Sequence, residues 1–173
     1  MEMNFCRRCG TPLENIENHV FKCENGHTIF ANASPTAGVF FLDGENVILA
    51  RRGIEPNKGM LDTIGGFVDG NESLENALAR ELREEVGLEP ADYEPPKFLC
   101  SIAATYEYGG EKSPIVSAIF YSRITTRRHL VPQDDIEEIV IRPLFEVEPS
   151  EISNHDIREG LKILQKRVKE GTL

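Results

Sequence analysis

The chain has 173 residues, enough for one well-cored domain with a small appendage. Its apolar share of 40% and charged share of 28% are ordinary for a globular protein, while a net charge of −10 argues against a nucleic-acid backbone binder, which needs surplus Lys and Arg to displace counterions. No apolar run approaches the roughly 20 residues that cross a bilayer, and the start MEMNFCRRCG lacks the pattern of a secretory signal. The expected place is therefore the cytoplasm, where the four cysteines stay reduced and available to metal.

Residues 1–32 read as a separate module, rich in turn formers and poor in apolar runs. Cys6-x2-Cys9 and, thirteen residues on, Cys23-x3-His27 supply the soft and imidazole ligands that tetrahedral zinc prefers, with Gly10 placed for a tight turn. Four protein ligands close the coordination shell, so such a zinc is structural and supplies the folding energy that a coreless segment lacks. His19 is a rival for the fourth position. The first 30 residues hold three basic and four acidic side chains, hence no basic patch, and the module reads as a packing or dimerisation element of a possible homodimer.

Residues 33–173 form the second domain. AGVFFL and NVILARR read as strands joined at Asp43-Gly44, a strong hairpin signal. A glycine-bearing loop, NKGMLDTIGGFVDGNES, leads into a helix over about 73–86, capped by Ser73 or Asn71 and stopped by Gly87. KFLCSIAAT and PIVSAIFYSRI read as further strands with YEYGGEKS as the loop between them, and VPQDDIEEIVIRPL as a loop entering a short strand. Asn154 is placed to cap a final helix in which Ile157, Leu161, Leu164 and Val168 form the apolar stripe. His129 and His155 have no evident partners. Strands with a helix between them and a helix at the end suggest an α/β sandwich around a mixed sheet.

The first helix carries the informative anomaly. Glu81, Glu84 and Glu85 crowd its C-terminal half, where neighbouring like charges and the macrodipole both oppose them. On a helical wheel Leu74, Leu78, Leu82 and Val86 form the buried stripe; Glu85 falls inside it and Glu81 at its border. A surface acidic face would lie opposite the leucines. Carboxylates beside a core need a cation or hydrogen bonds to compensate them, and hard ions such as Mg²⁺ or Mn²⁺ take oxygen ligands of this kind.

From Gly66 the sequence runs GFVDGNESLENALARELREEVGL. This matches the Nudix box, G-x5-E-x7-R-E-U-x-E-E-x-G-U with U aliphatic, at every specified position, and the chain resembles the Nudix hydrolases. The resemblance implies an α/β/α sandwich with a loop–helix–loop site that cleaves a nucleoside diphosphate linked to another group. It implies Mg²⁺ or Mn²⁺ held by Glu81, Glu84, Glu85 and the Gly65 carbonyl, and a Glu72–Arg80 pair that fixes the loop to the helix; Gly66 and Gly87 complete the structural positions of the box. The general base is Glu81 or Glu84, or an acid from a distant loop such as Glu111, Asp135, Glu137 or Glu138.

The first 32 residues resemble the zinc ribbon that precedes the Nudix domain of NADH pyrophosphatases, with Gly26 at the usual position of a fourth cysteine and His27 beside it. The substrate motif of those enzymes, SQPWPFPxS, corresponds to SIAATYEYG over 101–109, which keeps the serine and an aromatic. Leu61 and Ile64 also stand where relatives commonly carry Trp and Pro. Tyr106 is a candidate to stack on a base, and Arg51 and Arg52 to meet a phosphate. The leading substrates are ADP-ribose, NAD(H) or a similar dinucleotide or nucleotide sugar. Pyrophosphate release from nucleoside triphosphates and nucleotide sensing without turnover are the alternatives.

Overall fold

The computed structural model describes residues 3–125 and 130–173, so His129 lies outside the described residues. The N-terminal segment forms a three-stranded antiparallel sheet of β1 (Leu13–Glu17), β2 (Val20–Cys23) and β3 (Thr28–Phe30). Its core is small: Cys6, Cys23 and Ile29 are buried, with Met3, Leu13 and Phe21 packed against them. These strands leave no alternation in the sequence because LENIE in β1 is almost wholly exposed.

The second sheet runs β10 (Ile136–Pro143), β5 (Asn46–Arg52), β4 (Ser34–Asp43), β9 (Glu111–Arg123), β8 (Lys97–Tyr108) in spatial order, and the β4–β9 pair is parallel. Two strands lie within the stretch expected to be a glycine loop. β6 (Leu61–Asp62) pairs with β5, and β7 (Ile64–Phe67) pairs with β4. Their glycines hid them: Gly65, at φ +143°, sits so close to β4 that a Cβ would overlap the Ala37 carbonyl oxygen.

The β8–β9 hairpin is also longer than expected. Only Gly109 and Gly110, both at positive φ, separate the strands, so Tyr106, Tyr108 and Glu111 belong to strands rather than to a loop. The β4–β5 turn is centred one residue later than Asp43-Gly44 suggests, on Gly44 and Glu45, since Asp43 pairs with Asn46 and Gly44 takes φ +60°.

Helices cover both faces. α1 (Leu74–Val86) brings Ala77, Leu78, Leu82 and Val86 onto Val39, Phe41, Ile48 and Phe120. α2 (His155–Glu170) brings Ile157, Leu161 and Leu164 onto Phe40, Leu42, Leu49 and Ile119. Successive residues of β4 thus serve opposite cores, which is why AGVFFL is apolar throughout instead of alternating. Gly160 lets α2 approach the sheet, since a Cβ there would stand 2.5 Å from Ile119 Cδ1. Ser73 caps α1 by accepting from the Asn76 amide, and Gly87 ends it at φ +69°. Among the described residues no helix is long and apolar enough to cross a membrane.

Candidate active site and metal centre

β4 pairs with β5 only over Phe41–Asp43 and with β7 only over Thr36–Val39. Between these contacts β5 splays away from β4, and the fork opens a cavity of about 380 Å³. Its walls come from β4, β5, β6, β7, the polar side of α1, the inner residues of β9, and the start of α2. Glu81, Glu84, Glu85, Gly65, Gly66 and Arg80 all line it.

The three glutamates of α1 differ sharply in setting. Glu84 is exposed, Glu81 is half-buried, and Glu85 is the most deeply set, as its place within the apolar stripe predicts. Burial raises the Glu85 carboxyl to about 8; the Gly65 amide, donating to Oε2 at 2.9 Å, opposes the rise, and the charges of Glu81, Asp62 and Asp135 add to it. Burial likewise raises Glu81, against the pull of Arg80. Gly66 is tied to this arrangement, because an added Cβ would lie 2.6 Å from Glu81 Oε1.

Arg80 is the single cation of the cluster among the described residues. Its Nη2 donates to Glu72 Oε1 at 2.7 Å and to the Phe67 carbonyl at 2.9 Å, while Nη1 donates to Glu81 Oε1 at 2.7 Å and to Glu84 Oε2 at 3.2 Å. The Glu72 pair and the Phe67 contact bind the loop to the helix, and the Arg80 hydrogen bonds hold Glu72 below the usual carboxylate range. With Glu81 and Glu84 drawn to Arg80 and Glu85 to Gly65, the three carboxylates line the cavity on two separate partners. Three acids with a single guanidinium beside them among the described residues are a donor set suited to a hard, oxygen-seeking ion.

Of the candidate phosphate and base contacts, two line the cavity. Arg52 does so with Nε donating to the Pro56 carbonyl at 2.8 Å and Nη1 to Asp62 Oδ2 at 3.1 Å. Tyr106 forms part of the wall and meets the Phe67 ring edge-on, with centroids 5.3 Å apart. Arg51 lies outside, paired with Glu138 Oε2 at 2.8 Å and the Gly59 carbonyl at 2.9 Å. Among the distant acids only Asp135 reaches the cavity, joined there by Asp134; Glu111, Glu137 and Glu138 do not line it.

Sequence reasoning missed two buried acids. Asp62 accepts from Ser153 Oγ and the Thr63 amide, both at 2.8 Å, and from Arg52; burial pushes its carboxyl up despite these donors. Asp156, in the first turn of α2, accepts from Ser117 Oγ, which in turn accepts from Thr36 Oγ1 at 2.9 Å. Asp62 sits in the stretch read as a glycine loop and Asp156 in what looks like an ordinary first helical turn, and their partners are 91 and 39 residues away. No local pattern carries that signal.

The N-terminal cluster is a second centre. One ligand atom from each of Cys6, Cys9, Cys23 and His27 lies within 4.8 Å of every other. Cys9 Sγ and Cys23 Sγ are 3.8 Å apart, and Cys6 Sγ and His27 Nδ1 are 3.6 Å apart. A tetrahedral ion with Zn–S near 2.3 Å and Zn–N near 2.05 Å imposes about 3.8 and about 3.6 Å on those same pairs. The donor set and its spacing therefore fit zinc. His19 is instead tilted against the Phe30 ring at 6.3 Å. The Thr11 hydroxyl and amide, with Asn25, bring the Cys9 thiol down to about 5, toward the thiolate that a metal binds.

A glycine-bearing strand packed beside an acid-rich helix, at the opening of a split sheet, is the arrangement that the comparisons with known proteins place in a family. A family model for the NUDIX domain matches residues 33–161, and the chain belongs to the Nudix hydrolase family. It is 37% identical over 94 residues to the NAD-capped RNA hydrolase NudC of Pseudomonas aeruginosa, a match covering 52% of this chain and 33% of that protein. It is 38% identical over 87 residues to the human mitochondrial NAD(P)H pyrophosphatase NUDT13, covering 49% of this chain and 24% of that one. The match thus spans about a third or less of each curated relative. A Nudix hydrolase from Nitrosomonas europaea shares the fold over 98% of this chain and 94% of its own, at a TM-score of 0.73 and 21% identity.

Proposed function

We propose that this chain hydrolyses the diphosphate linkage of a nucleoside diphosphate joined to another group, ADP-ribose and NAD(H) being the leading candidates, with Mg²⁺ or Mn²⁺ as cofactor. The observation that carries this reading is that Glu81, Glu84 and Glu85 of α1 line one cavity of about 380 Å³ together with Gly65 and Arg80, with Glu85 set deepest and, among the described residues, tied only to a backbone amide. Such a group is poorly stabilised without a cation. Glu81, Glu84, Glu85 and the Gly65 carbonyl would hold the ion, which would supply neutralisation of diphosphate charge and activation of water. Glu81 or Glu84 on the helix, or Asp135 on the opposite wall, takes the proton from the attacking water as a new P–O bond forms and the anhydride P–O bond breaks. Arg52 meets a substrate phosphate, and Tyr106 stacks on a base.

The names of the similar proteins, which cite NAD-capped RNA and NAD(P)H, favour a dinucleotide over a triphosphate. Zinc at Cys6, Cys9, Cys23 and His27 is structural, since four protein ligands leave no place for substrate.

A product assay with Mg²⁺ over ADP-ribose, NADH, NAD⁺, FAD, dinucleoside polyphosphates and the nucleoside triphosphates tests this reading. The expected result is AMP from a dinucleotide or nucleotide sugar, and none from the Glu84→Gln or Glu85→Gln variants. Pyrophosphate from a triphosphate alone overturns the substrate class; binding without any product overturns the activity.

A further inference from the structure

One wall of the cavity carries polar side chains that the hydrolytic site does not use. Thr36 on β4 pairs in register with Ser117 on β9, and the parity of those strands turns both toward the α2 face, alongside Phe40 and Ile119. Asp156 reaches them from α2. Ser117 is 1% exposed and Asp156 3% exposed, so this network lies in the interior.

The direction of its hydrogen bonds is fixed by chemistry. Asp156 stands in the first turn of a 16-residue helix, where the macrodipole favours negative charge. A carboxylate only accepts, so Ser117 Oγ donates to Asp156 Oδ2 and Thr36 Oγ1 donates to Ser117 Oγ. Each hydroxyl has one hydrogen, and both are now committed. What the trio still presents is lone pairs: those of Thr36 Oγ1, which is half-buried and lines the cavity, and Asp156 Oδ1, which is buried with no partner among the described residues. An unpaired buried acceptor is costly, and native proteins retain few of them.

We propose that Thr36 and Asp156 form a specificity subsite that accepts hydrogen bonds from the part of the substrate beyond its diphosphate. The class of group recognised is a neutral donor, either a sugar hydroxyl or the exocyclic amine of a base. Phosphate and carbonyl oxygens are rejected there, because they meet lone pairs. This rests on the hydrolytic reading above, and it assigns the discrimination among substrates to residues far from the Nudix helix. A pocket built to pair with a donor rejects the analogue that lacks it, since its own buried group is then left unmatched.

The test compares wild type, Thr36→Val and Asp156→Asn by kcat/KM on ADP-ribose, on its inosine analogue and on its ribose-deoxy analogues. Wild type is expected to lose about tenfold or more on the analogue missing the recognised donor, the factor expected for a hydrogen bond to a charged or buried acceptor. Both variants are expected to lose that discrimination while retaining Mg²⁺-dependent turnover. A loss confined to the inosine analogue identifies the amine, and one confined to a deoxy analogue identifies the hydroxyl. Thr36→Val is nearly isosteric and serves if Asp156→Asn does not fold, as judged by its melting midpoint. Full wild-type discrimination in a folded variant, or none in wild type, overturns the subsite. If ADP-ribose is not turned over, the same comparison is made on the analogues of whichever dinucleotide or nucleotide sugar releases AMP in the product assay; if none does, the hydrolytic reading fails separately and calorimetric affinities for the same analogues decide the subsite.

Discussion

The Gly65 amide donates to Glu85 Oε2 at 2.9 Å, and among the described residues no Arg or Lys forms an ion pair with that carboxylate. The backbone of one strand and the side chain of a helix 20 residues away are thus coupled at the point where charge is least welcome.

The first prediction concerns pH. The folded value of Glu85, about 8, lies above its ordinary 4.5, so the native state binds this proton more tightly than the unfolded chain does. Metal-free stability is then fully supported below pH 4.5 and declines as pH rises toward 8, by up to about 5 kcal/mol for this group. Thermal melts of metal-free protein between pH 5 and 8.5 should show the fall, Glu85→Gln should flatten it and raise the pH 8 midpoint, and Mg²⁺ should flatten it in wild type. A pH-independent midpoint in metal-free wild type contradicts the burial of this charge.

Gly66→Ala makes a sharper probe of geometry. The new methyl would crowd Glu81 Oε1, and the flexible end of that side chain is what gives way. We expect kcat/KM to fall at least tenfold with a loss of stability under about 1.5 kcal/mol, because the displaced group is functional and not core. Equal losses in both measurements would indicate that β7 itself has shifted.

Arg80→Lys tests the fastening of the loop. Lysine keeps the charge but cannot reach Glu72, Phe67, Glu81 and Glu84 at once. Destabilisation of about 1–3 kcal/mol is expected from the unmatched groups. Hydrogen exchange should quicken over 67–72 before it quickens in the helix.

Metal content settles the N-terminal centre. One zinc per chain is expected from elemental analysis, retained in His27→Cys and lost in Cys9→Ser and Cys23→Ser. Removal of zinc should melt residues 3–31 while leaving the larger sheet folded, because the two sheets share no strand. Retention of zinc in the cysteine variants would move the ligands elsewhere.

Much of this was readable in the chain. The spacing of leucines placed α1, and the position of Glu85 within that stripe anticipated which acid would be deepest. The Cys6-x2-Cys9 and Cys23-x3-His27 spacings marked four side chains that the fold brings together, although the sequence left His19 as a rival to His27. The remainder depended on distance along the chain. Arg51 and Arg52 look alike in sequence, yet strand alternation turns one to Glu138 and the other to the cavity. β6 is too short and β7 too short and glycine-rich for any periodicity, and Asp62 and Asp156 owe their roles to partners that only the folded sheet supplies.

The parallel seam between β4 and β9 has a consequence for how the protein matures. It joins Thr36 to Ser117 across 81 residues, and Ser153 closes on Asp62 across 91. Synthesis must reach Ser117 before the first contact can form and Ser153 before the second, and such non-local pairing is slow. A nascent chain released through Leu88 would carry every position of the glutamate motif and have no chamber to use it in. Competence arrives late, with the strand and helix that contribute none of the signature.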